Sequence, residues 1–381
     1  MYVFMGHMRY RDTKPFPDSF WRAKGIDLMR AWVSRVDAAG KSLEFQDGPP
    51  LAWDRLLIAS GSRSNMFGWP GQELDGVQGL YGLPDLKKLY ETTERTRRAV
   101  IVGGGLIGIE LAEMLHSRNV HVTFLVRETS YWNNILPDEE SAMINRLVRQ
   151  HGLGLELATD LDRIEEDGHG RCAAAITKDG RRFECQLLGL TAGVSPNVEF
   201  LAASGIDIGR GVLVDEQLKA SAADVWAAGD CAEIVRDGAD RNLIQQVWYT
   251  GKMQGEVAGD NIAGEGDGRR YDPGIWFNSA KFFDLEYQTY GSVNRSAPGE
   301  RNLYWEHPTH QHAARLVHLD GTVIGLQTMG IRWRHEVAEQ WIGDGRSVDE
   351  TLRGLSQLAF DPEFHRRHEG DIVHAFRGQL E

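Results

Sequence analysis

Gly103-Gly104-Gly105-Leu106-Ile107-Gly108 carries the G-x-G-x-x-G spacing and is the segment of this chain with the most chemical content. It follows the apolar run Ala99-Val100-Ile101-Val102 and opens residues 107–116, whose apolar side chains recur at helical spacing. In that setting the first glycine makes the turn, the second admits a pyrophosphate to the backbone, and the third lets helix and strand pack closely. The helix start at Leu106 and Ile107 offers free N–H groups and partial positive charge to phosphates. A dinucleotide is the ligand this arrangement predicts. The next strand, residues 120–126, runs into Arg127-Glu128. A carboxylate at such a strand end takes the ribose 2′-OH of NAD, and an arginine accommodates the 2′-phosphate of NADP. Val126 stands where the acid is expected, so Arg127 favours NADPH, Glu128 favours NADH, and the reading leans to NADPH.

The remaining constellations carry less. His307-Pro308-Thr309-His310-Gln311-His312 places His310 and His312 on one strand face beside Glu306. A metal centre needs three or four supported ligands, so a polar hairpin is the expectation. His365-Arg366-Arg367-His368-Glu369 lacks the spacing of a helical zinc protease. Ser60 and Ser62 have no histidine and acid at nucleophile-elbow spacing. The three cysteines, Cys172, Cys185 and Cys231, form no C-x-x-C and read as small packed groups in a reduced, cytoplasmic protein.

The elements that position these residues belong to a chain of 381 residues, enough for two or three domains. Net charge is −13, which argues against a nucleic-acid partner. No apolar run reaches the ~18 residues of a membrane span, and the start has no secretory signal pattern. Forty-three glycines, roughly 11% against about 7% on average, imply many tight turns. Prolines 15 and 17 exclude regular helix across residues 10–17. Strands are predicted at 32–36, 42–45, 56–59, 99–102, 120–126, 212–215, 225–228, 282–290, 314–319 and 323–328. Helices are predicted at 85–94, 107–116, 139–150 and 247–262, with another presenting Val337, Ala338, Trp341 and Ile342. Residues 155–165, 172–178 and 182–190 read as an antiparallel meander turning at Asp179-Gly180, and residues 264–268 read as a linker.

Several segments resemble the FAD-dependent pyridine nucleotide-disulfide oxidoreductases, in particular the ferredoxin and rubredoxin reductases among them. Trp53-Asp54-Arg55-Leu56-Leu57-Ile58-Ala59-Ser60-Gly61-Ser62 is similar to the family's YDKLLIATGS strand and turn. Thr191-Ala192-Gly193-Val194-Ser195-Pro196-Asn197 is similar to its TG-x-x-PN turn. Gly211-Val212-Leu213-Val214-Asp215-Glu216 and Val225-Trp226-Ala227-Ala228-Gly229-Asp230 resemble its G-x-x-VDE and IYAAGD segments. With the glycine loop, these keep family order across residues 51–262.

The resemblance implies an α/β flavoprotein fold with two dinucleotide-binding domains and a C-terminal α+β interface domain. It implies FAD and NAD(P)H as cofactors. Asp230 would accept hydrogen bonds from ribitol hydroxyls, with N-capping of a following helix as the alternative. Ser60, Gly61, Gly193 and Gly229 would line the cofactors. The helix at Trp248 would aim its positive end at the flavin. Glu110 occupies the family's G-x-E position near the nicotinamide, or is an ordinary first-turn acid. The aromatic segment 276–283 lies near the flavin in related reductases, or forms interface-domain core.

Three departures shape the expectation. The family's first βαβ unit, whose own glycine loop holds the ADP half of FAD, is not found before residue 51. The FAD domain is therefore expected to be truncated, with open strand edges. Phe4-Met5-Gly6-His7-Met8 stands where disulfide reductases carry cysteines, and Phe360-Asp361-Pro362-Glu363 lacks the histidine of their acid–base pair. The expected organisation is 1–96 and 199–268 as the FAD domain, 97–198 as the NAD(P) domain and 269–381 as the interface domain. The expected reaction is oxidation of NAD(P)H through FAD, without a redox disulfide. The acceptor would be an iron–sulfur carrier or a quinone-like small molecule, and a homodimer is the assembly to test. The rival expectation is a truncated NAD(P)-binding protein without flavin or activity.

Overall fold

A computed structural model describes residues 1–236, 238, 242–264, 268–294, 297–360 and 366–380. The centre of the expected linker, the tail segment 361–363 and His365 lie outside the described residues. The chain divides into two compact units. One comprises Met66–Gly193 and Gly274–Glu381, with Met1; the other comprises Tyr2–Asn65 and Val194–Pro273.

In the first unit a five-stranded, all-parallel sheet has the order Val77–Gln78, Leu187–Leu190, Arg98–Val102, His121–Leu125, Gly154–Glu156. Its central strands are short continuous apolar runs, as a sheet covered on both faces requires. Ala99, Val100, Ile101 and Val102 are all buried. The helix Leu106–His116 covers one face with Ile109, Leu111, Ala112, Met114 and Leu115. A Cβ on Gly189 would lie 2.4 Å from Leu111 Cδ2, so a larger residue there would force that leucine side chain to move.

The antiparallel meander is smaller than the sequence pattern predicts. It consists of Leu161–Glu166, Cys172–Thr177 and Arg182–Glu184. Leu155 and Glu156, at one end, and Leu187–Leu190, at the other, pair in the parallel sheet instead. The run Leu-Leu-Gly-Leu suits either sheet locally, and burial on both faces decides.

Residues from Gly274 onward form a five-stranded antiparallel sheet, ordered Phe277–Phe282, Leu285–Gly291, Thr322–Met329, Ala313–Leu319, Glu300–Glu306. The strand predicted at 282–290 is two strands, because Phe283 at φ +53° turns the chain into a hairpin. His307–His312 lie in the turn between two strands, so His310 and His312 share no strand face. His335–Gly343, Val348–Gly354 and Glu369–Leu380 pack on the sheet around Trp333, Trp341, Leu352 and Phe376. Within the same unit, Arg315 donates from Nε and Nη2 to both Glu140 oxygens at 2.8 Å and to Glu139 at 2.7 Å.

The second unit is assembled from small sheets. Val33–Asp37, Ser42–Phe45 and Leu51–Ala52 are antiparallel. Leu56–Ile58 pairs in parallel with Val225–Ala227, and Val212–Val214 with Ala232–Ile234. Ser62–Ser64 pairs antiparallel with Val194–Pro196. Ile58, Val212, Val214, Val225, Ala227 and Val257 share one core with the helix Trp248–Ala263. Among the described residues Leu56–Ile58 has no second neighbouring strand, and Leu57 is exposed. No helix among them is long and apolar enough to cross a membrane.

Candidate functional site

The first unit builds its site where the strand Arg98–Val102 ends. Gly103 has φ +120°, and a Cβ there would lie 2.7 Å from the Thr191 carbonyl oxygen. Thr191 forms the floor: its N–H and hydroxyl both donate to the Val102 carbonyl, at 2.9 and 3.0 Å. Gly105 is the N-cap of the helix Leu106–His116, in extended conformation at φ −125°. The first-turn N–H groups, Leu106 and Ile107 among them, have no acceptor inside the helix. A Cβ on Gly108 would meet the Gly103 carbonyl and Thr191 Oγ1 at 3.0 Å and the Tyr131 hydroxyl at 3.2 Å. The buried Tyr131 donates that hydroxyl to the Gly105 carbonyl at 2.9 Å, and burial pushes its phenol up, so it remains a neutral donor. Each of the three glycines therefore stands where a side chain would fill the turn, the helix start or the helix–strand contact.

At the next strand end, Val126 is fully buried, and its Cγ1 would lie 2.8 Å from a Cβ on Gly104. Its side chain supports the glycine loop, which leaves the two following residues to face solvent. Arg127 Nη2 donates to Glu128 Oε1 at 2.8 Å, and that bond holds the guanidinium further above its ordinary range. Glu110 is exposed and lies in the second turn of the helix, whose first turn holds no acid, so the first-turn alternative falls. Desolvation raises its carboxyl and the Glu113 carboxylate raises it further, but solvent screens most of this at an exposed side chain. Glu113 is buried and accepts from Lys281 Nζ at 3.0 Å. Gly193, at φ +90°, closes the turn after Thr191.

In the second unit a polar chain connects distant segments. Ser60 Oγ donates to the Asn197 carbonyl at 2.7 Å, and Gly61 turns at φ +67°. The buried Ser62 donates to Asp230 Oδ2 and accepts from the Gln246 side-chain amide, both at 2.9 Å. Gly229, at φ +80°, donates its N–H to Gln254 Oε1 at 2.8 Å. Gly229–Cys231 is a single 3-10 turn followed by the strand Ala232–Ile234, so Asp230 caps no α-helix and that alternative falls. Trp248 begins the helix Trp248–Ala263 and is 74% exposed. A solvent-open depression of about 530 Å³ adjoins this chain, lined by Val194, Ser195, Pro196, Leu243, Ile244 and Gln246 among others. Sequence reading did not carry Ser62 or Gln246 as site residues: Ser62 stood only as the last residue of a family motif, and its pairing with Gln246 spans 184 positions.

All three cysteines are buried. Cys172 and Cys185 lie 3.5 Å apart in the meander region, and Cys231 turns its thiol to the Ile58 and Ala228 carbonyls. Among the described residues no group of three His, Cys, Asp or Glu side chains is arranged to hold a metal ion.

Whole-chain comparison defines the class. The structure superposes on an NAD-dependent persulfide reductase from A. fulgidus with a TM-score of 0.84, at 22% identity, covering 100% of this chain and 75% of that one. It superposes on the ferredoxin reductase for the CYP199A2 system from Rhodopseudomonas palustris with a TM-score of 0.78, at 20% identity, covering 98% and 88%. These likenesses show the fold, that of flavoprotein reductases with two dinucleotide-binding domains. The family model for pyridine nucleotide-disulphide oxidoreductases matches residues 17–255, and the chain belongs to that family. It is similar to the ferredoxin–NAD(+) reductase component of the biphenyl dioxygenase system of Paraburkholderia xenovorans (strain LB400), 31% identical over 87% of this chain and 80% of that one. It is also similar to a CoA-dependent NAD(P)H sulfur oxidoreductase of Pyrococcus abyssi (strain GE5 / Orsay), 31% identical over 74% and 63%.

The class is that of FAD-dependent NAD(P)H oxidoreductases, with FAD and NAD(P)H as cofactors. The glycine loop fits a dinucleotide on the geometry above. Ser62, Asp230 and Gln246 fit the hydroxyl-bearing end of a flavin. For the ADP half of FAD, the described residues of the second unit contain no strand, glycine loop and helix in succession.

Proposed function

We propose that the chain moves electrons from NAD(P)H to an external acceptor that is a one-electron iron–sulfur carrier. The observation that carries this reading is the burial of every thiol. A disulfide-reducing enzyme needs a sulfur exposed to its substrate, and none is found here. Bound FAD would supply the exchange between a two-electron hydride donor and a one-electron acceptor. The residues of this chain bind and orient. The loop at Gly103, Gly105 and Gly108 would hold the pyrophosphate, with residues 97–198 as the nucleotide domain. Asp230, kept in place by Ser62, would accept from ribitol hydroxyls, and the start of the helix at Trp248 would favour negative charge on the reduced ring. The similarity to a ferredoxin–NAD(+) reductase component supports the acceptor class. A reducing cytoplasm suits three free thiols, and a homodimer is tested by light scattering.

The deciding measurement is the visible spectrum of the purified chain after incubation with FAD, before and after NADPH or NADH. A flavin band that bleaches with reduced nucleotide, and returns when a plant-type ferredoxin is added, supports the reading. A protein that binds NADPH yet takes up no flavin overturns it and leaves a nucleotide-binding protein. A flavin that is reduced but reoxidised only by a quinone reassigns the acceptor to a small molecule.

A further inference from the structure

Trp132 lies against the glycine loop and serves no purpose in the site as described so far. Its backbone sits at φ +59°, a left-handed conformation uncommon for a bulky residue. Strain of this kind persists only where surrounding contacts over-determine it, and it gathers at ligand sites. The contacts are present on both sides. The preceding residue, Tyr131, donates its N–H to Asn145 Oδ1 at 3.0 Å and accepts from Ser141 Oγ at 2.6 Å, both on the helix Asp138–Gln150. The Trp132 carbonyl accepts from Ile135 and Leu136 at 3.0 and 2.9 Å.

The ring is held from the C-terminal sheet. Its centroid lies 5.7 Å from that of Phe282 and 5.6 Å from that of Tyr287, in tilted and edge-on geometry. Lys281, next to Phe282, is the residue that pairs with Glu113 on the glycine-loop helix. These contacts leave the indole nitrogen facing the loop: a Cβ on Gly105 would lie 3.9 Å from Trp132 Nε1. An indole N–H donates and cannot accept. Among the described residues it has no acceptor, and Gly105 is where the backbone stands clear for a phosphate.

We propose that Trp132 is a binding residue for the dinucleotide, its indole N–H donating to the pyrophosphate over Gly105 while Phe282 and Tyr287 fix the ring. This rests on the dinucleotide reading of the glycine loop. It makes the C-terminal sheet part of the nucleotide site, since two of its side chains set the position of the donor.

The test is calorimetric titration of NADPH and NADH into the wild-type chain and Trp132→Phe. Phenylalanine keeps an aromatic face but loses the pyrrole ring together with its N–H. A hydrogen bond to a charged oxygen predicts a dissociation constant raised about tenfold for both nucleotides, an unchanged thermal midpoint and, in the enzyme, a raised KM with unchanged kcat. Equal affinity in W132F and wild type overturns the proposal while leaving the dinucleotide reading intact. A wild type that binds neither nucleotide overturns both. A second readout needs no variant to fold stably. With 15N-tryptophan-labelled wild type, ADP-ribose should move one indole N–H resonance downfield and adenosine should not. A shift produced equally by adenosine would mean base stacking and would refute the hydrogen bond.

Discussion

The Ser62 hydroxyl reaches the Asp230 carboxylate at 2.9 Å across 168 residues of sequence, and the Gln246 amide reaches that hydroxyl in turn. Asp230 is thereby held by a neutral donor. Ser62→Ala should lower FAD affinity modestly, by about tenfold at most, the worth of one bond to a carboxylate. Asp230→Ala should lower it further, because the acceptor itself is lost. The ratio of flavin to protein absorbance after gel filtration measures both. Asp230→Ala protein that retains as much flavin as wild type would remove Asp230 from the site.

Gly103 and Gly105 separate folding from binding. Alanine at Gly103 meets both a φ of +120° and the Thr191 carbonyl at 2.7 Å, so the fold should lose about 1–3 kcal/mol and nucleotide binding should fail with it. Alanine at Gly105 meets ordinary backbone and no atom closer than 3.9 Å. Gly105→Ala should therefore melt near the wild-type midpoint yet bind NAD(P)H at least about tenfold more weakly, its methyl occupying the path of the pyrophosphate. Thermal denaturation and nucleotide titration on the two variants decide. Wild-type affinity in Gly105→Ala would move the phosphate elsewhere.

Coenzyme choice turns on Arg127 and Glu128, which neutralise each other at 2.8 Å. Glu128→Ala frees the guanidinium for a 2′-phosphate. The ratio of kcat/KM for NADPH over NADH should rise about fivefold, as expected for an exposed charge worth about 1 kcal/mol. Arg127→Ala should move the ratio the other way. A ratio indifferent to both changes would place the 2′ position out of their reach.

His312 gives the fold a pH dependence. Burial, with His368, His307 and Arg366 nearby, lowers its imidazole to about 4, and burial lowers His368 as well. The unfolded chain takes up a proton near pH 6.5 that the folded ring refuses. Stability is therefore fully present above pH 6.5 and falls as pH drops from there toward 4. Melting midpoints across that range should fall less steeply in His312→Phe than in wild type. Parallel curves would show that His312 titrates normally in the folded chain.

The glycine loop was legible because its signal is local: three glycines between an apolar run and a helical pattern. The family motifs at Ser60 and Asp230 were legible for the same reason. The partners that the fold brings to those residues were not. Gln246 is an ordinary residue in any window of sequence, Ser62 only closes a motif, and only the fold brings the two together. The strand Leu187–Leu190 was placed in the meander because four apolar residues carry no information about their neighbours. Its position is fixed by pairing with both Val77–Gln78 and Arg98–Val102. Trp132 falls between the predicted strand 120–126 and the predicted helix 139–150, where no element or site was read, since a left-handed tryptophan has no sequence signature.

The floor under the glycine loop arrives late. Thr191 lies 89 positions after Val102, whose carbonyl it binds, and the strand that delivers it enters the middle of the parallel sheet. At about 5–20 residues per second of synthesis, roughly 4–18 s separate the two from the ribosome. During that interval the strand Arg98–Val102 has an unfilled edge and the turn at Gly103 nothing to rest on. Nucleotide therefore cannot template the early nascent chain. It meets a site that is finished only after the meander has been made.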